Sequence, residues 1–229
     1  QCLKNFPADP NSKWWGSPEA VGSLSWTESL PKLFSSRDFI FTTMTLCWVC
    51  LSSNFIGYGL SYALPAVLPD LHLPFSPAGN LLISSLLSLA GSFLSYYMAL
   101  NVDRKTHMIF YFAVEMLGLI IFTTATTTVF LTEAQISQAY IRELACLGLY
   151  TSQLAKGIGS VILYLYMLEV YPTVVRVTGS ALCMGVGRLG SITSAPIYDF
   201  IYMGTNTFAI YFEMMYVIHF SCMQIQNDF

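Results

Sequence analysis

The chain has 229 residues, 55% hydrophobic and 10% charged, with a formal net charge of -3. A water-facing domain ordinarily carries about 25% charged residues, so this composition excludes a soluble globular surface, and the lack of any Lys/Arg cluster excludes a nucleic-acid partner. The aromatic share of 15% suits interfacial belts and ligand pockets.

Residues 1–38 form a polar leader broken by Pro7, Pro10, Pro18 and Pro31, without a charged-then-apolar signal peptide. Because Gln1 rather than Met opens the chain, a fragment or truncated gene product is expected. Residues 39–229 then read as one six-helix transmembrane domain. A spanning helix needs roughly 20 mostly apolar residues, and six segments qualify: Phe39–Val67, Ala78–Leu100, Met108–Phe130, Leu144–Leu168, Val177–Phe200 and Thr207–Gln226. The first is long enough to tilt or to end before Pro65. The proline-rich "LPDLHLPFSP" (Leu68–Pro77) makes a turn, and "NVDRKTH" (Asn101–His107), "EVYPTVVR" (Glu169–Arg176) and "IYMGTN" (Ile201–Asn206) make short connections.

Basic residues set the orientation. Lys4, Lys13, Lys32, Arg37, Arg104, Lys105 and Arg176 fall on one side of the alternating spans, and only Arg142 on the other. Both termini are therefore expected in the cytoplasm of a multi-pass protein, with the plasma membrane as its location.

Two further cations lie at mid-span. Lys156 is near the centre of the fourth segment and Arg188 near the centre of the fifth. A central Lys or Arg costs about 2.5–3.5 kcal/mol on insertion scales and normally faces a bundle interior or wet cavity, with a partner. On a helix, Lys156 shares its side with Ser152, Gln153, Gly159 and Ser160, and Arg188 with Met184, Gly185, Ser191 and Ala195. Leu51, Phe55, Tyr58 and Tyr62 form an aromatic stripe on the first span with Trp48 nearby, and Tyr164 and Tyr166 stand near the end of the fourth. These features point to a midplane cavity holding an anionic or zwitterionic solute against Arg188 and Lys156, because the planar guanidinium fork matches a carboxylate. The alternative pairs the two cations with internal acids: Glu115 and Glu213 within spans, or Asp199 at a span end.

The loops carry the more specific signal. "EVYPTVVR" has the form E-x-x-P-T-x-x-R and is followed by "TGSALCMGVGRLGSITSAP". Together they resemble the tenth-to-eleventh helix region of solute carrier family 22, the organic anion, cation and carnitine transporters of the major facilitator superfamily. "VDRKTH" resembles that family's D-R-x-G-R-R loop, "LPKLFSSRDF" its entry to helix seven, and "GYGL" (Gly57–Leu60) that helix's aromatic signature. The resemblance covers roughly residues 30–220. It implies an all-α membrane protein whose six helices form the C-terminal half of a twelve-helix fold, with an N-terminal six-helix half as partner. It also implies alternating-access transport of a small organic ion. Anion- and carnitine-transporting relatives carry an arginine where this chain has Arg188. The carry-over adds Tyr58; Phe55 is extrapolated from helical spacing, and Ser160 and Tyr164 complete the substrate-site candidates with Lys156. Asp103, Arg104, Glu169, Pro172 and Arg176 are the candidate cytoplasmic gate: a set of opposite charges that pair and part as that side closes and opens, with Pro172 stopping a helix.

This chain departs from the family pattern at three places. Thr106, His107 and Met108 replace G-R-R, the segment Asn80–Leu100 lacks the lysine common in anion carriers, and the closing P-E-T stretch is missing. Within transport, a synaptic-vesicle-2-like or sugar-porter relative is the alternative; outside it, a non-transporting regulatory or dimerising membrane protein. No G-x-S-x-G, H-E-x-x-H or paired intramembrane aspartates are present, so an enzyme is not expected. No cofactor or metal is expected either: Cys47 and Cys50 form a CxxC, but without a second CxxC or a nearby His pair they read as small buried hydrophobes rather than a zinc site. His72 and His107 read as surface residues and His219 as packing.

Overall fold

The computed structural model describes residues 31, 33–34, 37–71, 75–131, 135–205 and 209–228. Most of the expected leader, His72 and part of the last connection therefore lie outside the described residues. Six long helices follow one another: α1 (Arg37–Leu71), α2 (Pro77–Asn101), α3 (Arg104–Leu131), α4 (Gln135–Val170), α5 (Thr173–Thr205) and α6 (Ala209–Asp228). The protein is an all-α bundle. Three segments are long and apolar enough to cross a membrane by length and composition: Phe39–Pro69, Pro77–Asn101 and Arg104–Thr127. The interiors of α4 and α5 carry Lys156 and Arg188 along with many hydroxyls and glycines.

Among the described residues the six expected segments are helical, but only the first three are apolar enough to span, and most of the helices run past the expected ends. α1 does not stop before Pro65; it continues through Pro65 and Pro69. Proline is tolerated inside membrane helices because neighbouring groups re-satisfy the freed backbone. The connection expected over Asn101–His107 shrinks to Val102–Asp103, and Arg104–His107 form the first turn of α3. At the α4–α5 junction Pro172 does stand outside both helices. Ser76 caps α2: its hydroxyl accepts from the Gly79 N–H at 3.1 Å, with Pro77 at the first helical position.

Large apolar side chains cover much of the surface, and the interior holds several polar groups beside its apolar core. Leu82, Phe93, Tyr97, Ile192, Phe200 and Met203 are exposed, whereas Asn80, Ser95, Glu115, Thr126, Ser152 and His219 are buried. An apolar surface around a largely apolar interior that also holds several polar groups suits a bundle set in lipid. Many of the hydroxyls are satisfied locally: Ser52, Ser61, Ser85, Thr126 and Thr193 each donate to the carbonyl one turn back.

Glycine seams set the helix pairs. Where α3 meets α4, a Cβ on Gly118 would lie 2.7 Å from the Ser152 nitrogen, and one on Gly148 would lie 2.8 Å from the Phe122 Cα. α3 and α4 run antiparallel, since later residues of one meet earlier residues of the other. Where α1 meets α5, a Cβ on Gly187 would lie 2.8 Å from the Asn54 amide nitrogen, and one on Gly190 would strike the Leu51 carbonyl. Cys47 meets Cys183 and Tyr62 meets Asp199, so α1 and α5 run parallel. α2 and α4 are parallel as well, since Asn80 meets Tyr150 and Ser95 meets Ile158, and their crossing is sealed by Gly91 against the Leu154 carbonyl and Gly157 against the Ser88 carbonyl. These directions are what a chain crossing back and forth requires: helices separated by one other helix share a direction. α6 closes the bundle through Tyr211, which donates to the Ser194 carbonyl at 3.0 Å and lies over Gly59.

Candidate functional site

Lys156 leaves α4 toward α1. Its ammonium donates to the Gly57 carbonyl at 2.9 Å and to the Ser61 hydroxyl at 2.8 Å, and lies 5.9 Å from the centre of the Tyr58 ring. From α5, Arg188 donates through Nη1 to the Tyr58 hydroxyl at 3.0 Å. Both mid-helix cations therefore converge on one phenol, Tyr58, which is 47% exposed. A Cβ on Gly57 would meet the Lys156 side chain at 3.4 Å, an ordinary contact, so the Lys156 stem lies against the α1 backbone here.

Arg188 is exposed, and among the described residues no carboxylate lies within ion-pair distance of it. A guanidinium has five N–H donors, so a contact with one phenol oxygen leaves it able to grip a second group. The internal acids stand away from Arg188. Asp199 accepts from the Tyr62 hydroxyl at 3.1 Å, and Glu213 is exposed on α6. Glu115 is buried with its Oε2 3.3 Å from His219 Nε2, close enough for a charge contact but without hydrogen-bond alignment. His219 packs at the edge of Tyr111 and Phe112.

Beside Lys156, a cleft of about 340 Å³ opens between α1, α2 and α4. Its polar lining is Ser61, Ser84, Ser85, Ser88, Gln153 and Lys156. Ser84 is 4% exposed and its hydroxyl has no partner. Sequence reading did not single out these α2 serines. The available signal was the spacing of Ser84, Ser85 and Ser88, which places Ser84 and Ser88 one turn apart on a single helix side.

The structure separates the remaining substrate-site candidates. Phe55 is 4% exposed and packs against Tyr211 at 6.0 Å between ring centres, so it belongs to the core and not to a cavity wall. Gly190 explains this correction: it draws α5 onto the α1 backbone at Leu51 and Phe55, turning that side of the stripe inward. Trp48, Tyr58 and Tyr62 keep exposed faces. Ser160 is exposed and bonded to its own helix at the Gly157 carbonyl, 2.8 Å away; Tyr164 is exposed one turn further along. Neither lines the serine cleft.

At the expected cytoplasmic end, Arg104 and Glu169 form a two-pronged ion pair, Nε to Oε2 at 2.8 Å and Nη2 to Oε1 at 2.9 Å, and Arg104 Nη1 also donates to the Ala99 carbonyl at 2.6 Å. The other gate candidates stand apart from this pair. The Asp103 carbonyl accepts from the His107 N–H at 2.9 Å while its side chain is exposed, and Arg176 donates to the Tyr171 carbonyl at 3.2 Å. The Pro172 carbonyl accepts from the Val175 N–H at 3.1 Å. His107 is fully buried, contrary to its reading as a surface residue, because α3 begins three residues earlier and turns it inward. There its Nε2 lies 3.2 Å from the Ser95 hydroxyl, which donates to the Ile158 carbonyl at 3.0 Å. The CxxC thiols also diverge: Cys47 faces Cys183 at 3.8 Å, and Cys50 faces the Met167 sulfur at 3.5 Å.

No family model matches the chain, and a search of curated proteins finds none significantly similar to it.

Proposed function

We propose that this membrane bundle is a carrier of small organic anions or zwitterions, built as the C-terminal six-helix half of a solute carrier family 22 transporter and working by alternating access. The single observation that carries the reading is Arg188: a guanidinium at mid-helix, exposed, held by the Tyr58 hydroxyl and by no acid among the described residues. A charge costing about 2.5–3.5 kcal/mol at the bilayer centre is retained where something uses it. A carboxylate docked on it gains charge-assisted hydrogen bonds, while Lys156 stands across the same tyrosine and the serine cleft offers neutral donors and acceptors. Arg104 and Glu169 then belong to the charged cluster whose exchange of partners accompanies the change of access.

Uptake of radiolabelled carboxylates, organic cations and hexoses into proteoliposomes tests the reading. Carboxylates are expected to enter. Arg188→Ala is expected to weaken their apparent affinity about 10–100-fold, the loss of one charge-assisted bond at about 1.5–3 kcal/mol, with membrane insertion unchanged. Carboxylate uptake that is unaltered in this variant refutes the site. Uptake of none of the three classes favours the non-transporting alternative.

A further inference from the structure

We propose that Cys47 on α1 and Cys183 on α5 are a site of oxidative modification, an inter-helix disulfide formed by a small hydroperoxide. Their sulfur atoms are 3.8 Å apart, in contact across two helices and 136 residues of chain. Closing to a bond of about 2.05 Å asks for a shift of under about 2 Å, shared between two short side chains. The backbones are already held together at this level, since a Cβ on Gly187, one turn beyond Cys183, would lie 3.2 Å from the Cys50 carbonyl oxygen. Cys50, the other thiol of the CxxC, is directed to Met167 on α4 and does not compete for Cys183.

Cys47 is also the reachable member of the pair. It lines an apolar hollow of about 350 Å³ together with Phe34, Met44, Trp48, Leu182 and Val186, large enough for hydrogen peroxide, whereas Cys183 is fully buried behind it. The Tyr171 hydroxyl sits 3.3 Å from the Cys183 sulfur and 3.2 Å from the Thr43 hydroxyl, giving the buried thiol a polar neighbour with which to exchange its proton.

The chemistry balances in two steps. The Cys47 sulfur attacks one peroxide oxygen; an S–O bond forms and the O–O bond breaks. The departing hydroxide takes the Cys47 proton and leaves as water. The Cys183 sulfur then attacks the Cys47 sulfur; the S–S bond forms and the S–O bond breaks. The hydroxyl leaves with the Cys183 proton as a second water. Two thiols are oxidised and one hydroperoxide is reduced. This inference stands on the thiol geometry alone and does not depend on the transport reading.

The test treats the full chain in lipid nanodiscs with hydrogen peroxide and maps peptides under non-reducing conditions. A linked Cys47–Cys183 peptide is expected, together with a loss of two titratable thiols that dithiothreitol restores. Cys47→Ser and Cys183→Ser should each abolish the linked peptide, and Cys50→Ser should leave it intact. As a check that needs no substitution, dibromobimane on the reduced native chain should bridge the same two residues. A Cys47–Cys50 link overturns the proposal, as does oxidation of Cys47 to sulfinic acid with Cys183 left free, or persistence of the link in Cys47→Ser.

Discussion

Gly157 sits next to Lys156 at the seam between α2 and α4, and a methyl group there is the most informative single perturbation of the fold. A Cβ at this position would strike the Ser88 carbonyl oxygen and lie 3.1 Å from the Ser88 Cα. The obstacle is backbone, which cannot swing aside, so α2 and α4 must separate. Overpacking of this kind costs about 1–3 kcal/mol, and a rigid obstacle belongs in the upper half of that range. Separation also strains two bonds across the seam, Ser92 to the Gly157 carbonyl at 3.3 Å and Ser95 to the Ile158 carbonyl at 3.0 Å. Interhelical bonds of this type average about 0.6 kcal/mol each in membranes. Against this, alanine in a helix interior gains about 0.8–1.0 kcal/mol over glycine. The net expectation for Gly157→Ala is a loss of about 2 kcal/mol. Gly185 is the internal control: a Cβ there meets nothing within 4 Å, so Gly185→Ala should gain close to the full helix-propensity term, up to about 1 kcal/mol. Reversible unfolding by titration with a denaturing detergent, followed by circular dichroism, measures both. If the two substitutions shift stability in the same direction, or within about 0.5 kcal/mol of each other, α2 and α4 do not meet at this seam.

Glu169→Gln should leave stability within about 1 kcal/mol, because the Arg104 pair is partly exposed, yet slow maximal uptake at nearly unchanged apparent affinity; loss of affinity at an unchanged maximal rate would count against a role in switching. Tyr58→Phe keeps the ring beside Lys156 and deletes the oxygen that orients Arg188; carboxylate affinity, read from concentration-dependent uptake, should fall about 3–10-fold, the equivalent of one ordinary hydrogen bond. Ser84→Ala removes a buried hydroxyl with no partner, so the unfolding free energy should rise by about 1 kcal/mol. Solutes that fill the serine cleft should bind about fivefold more weakly in that variant, as measured by competition for uptake.

The helices were legible in the sequence because apolar runs of spanning length are rare and their interruptions are unambiguous. Pro172, for example, stands outside both α4 and α5. Their ends were not, because the terminal turns carry the charged residues that mark loops in a hydropathy reading; Arg104–His107 and Gln135–Glu143 are helical all the same. That same habit misjudged His107, whose burial follows from one extra turn of α3. Lys156 and Arg188 stood out as isolated charges, but their meeting at Tyr58 joins three helices far apart in the chain, and helical spacing within a single segment carries no such information. Phe55 shows the converse: spacing put it beside Tyr58, and only the approach of α5 at Gly190 reveals that it faces the core.

The ion pair of Arg104 and Glu169 ties the start of α3 to the end of α4, the same two helices that Gly118 and Gly148 bind along their length. Helices fastened at mid-length cannot slide apart to break a bond at one end. Because both members of the pair are partly exposed, water reaches them, and either side chain can swing away with the two helices in place. Opening of that bond is therefore a local event at one end of the two helices and asks for no parting of α3 from α4.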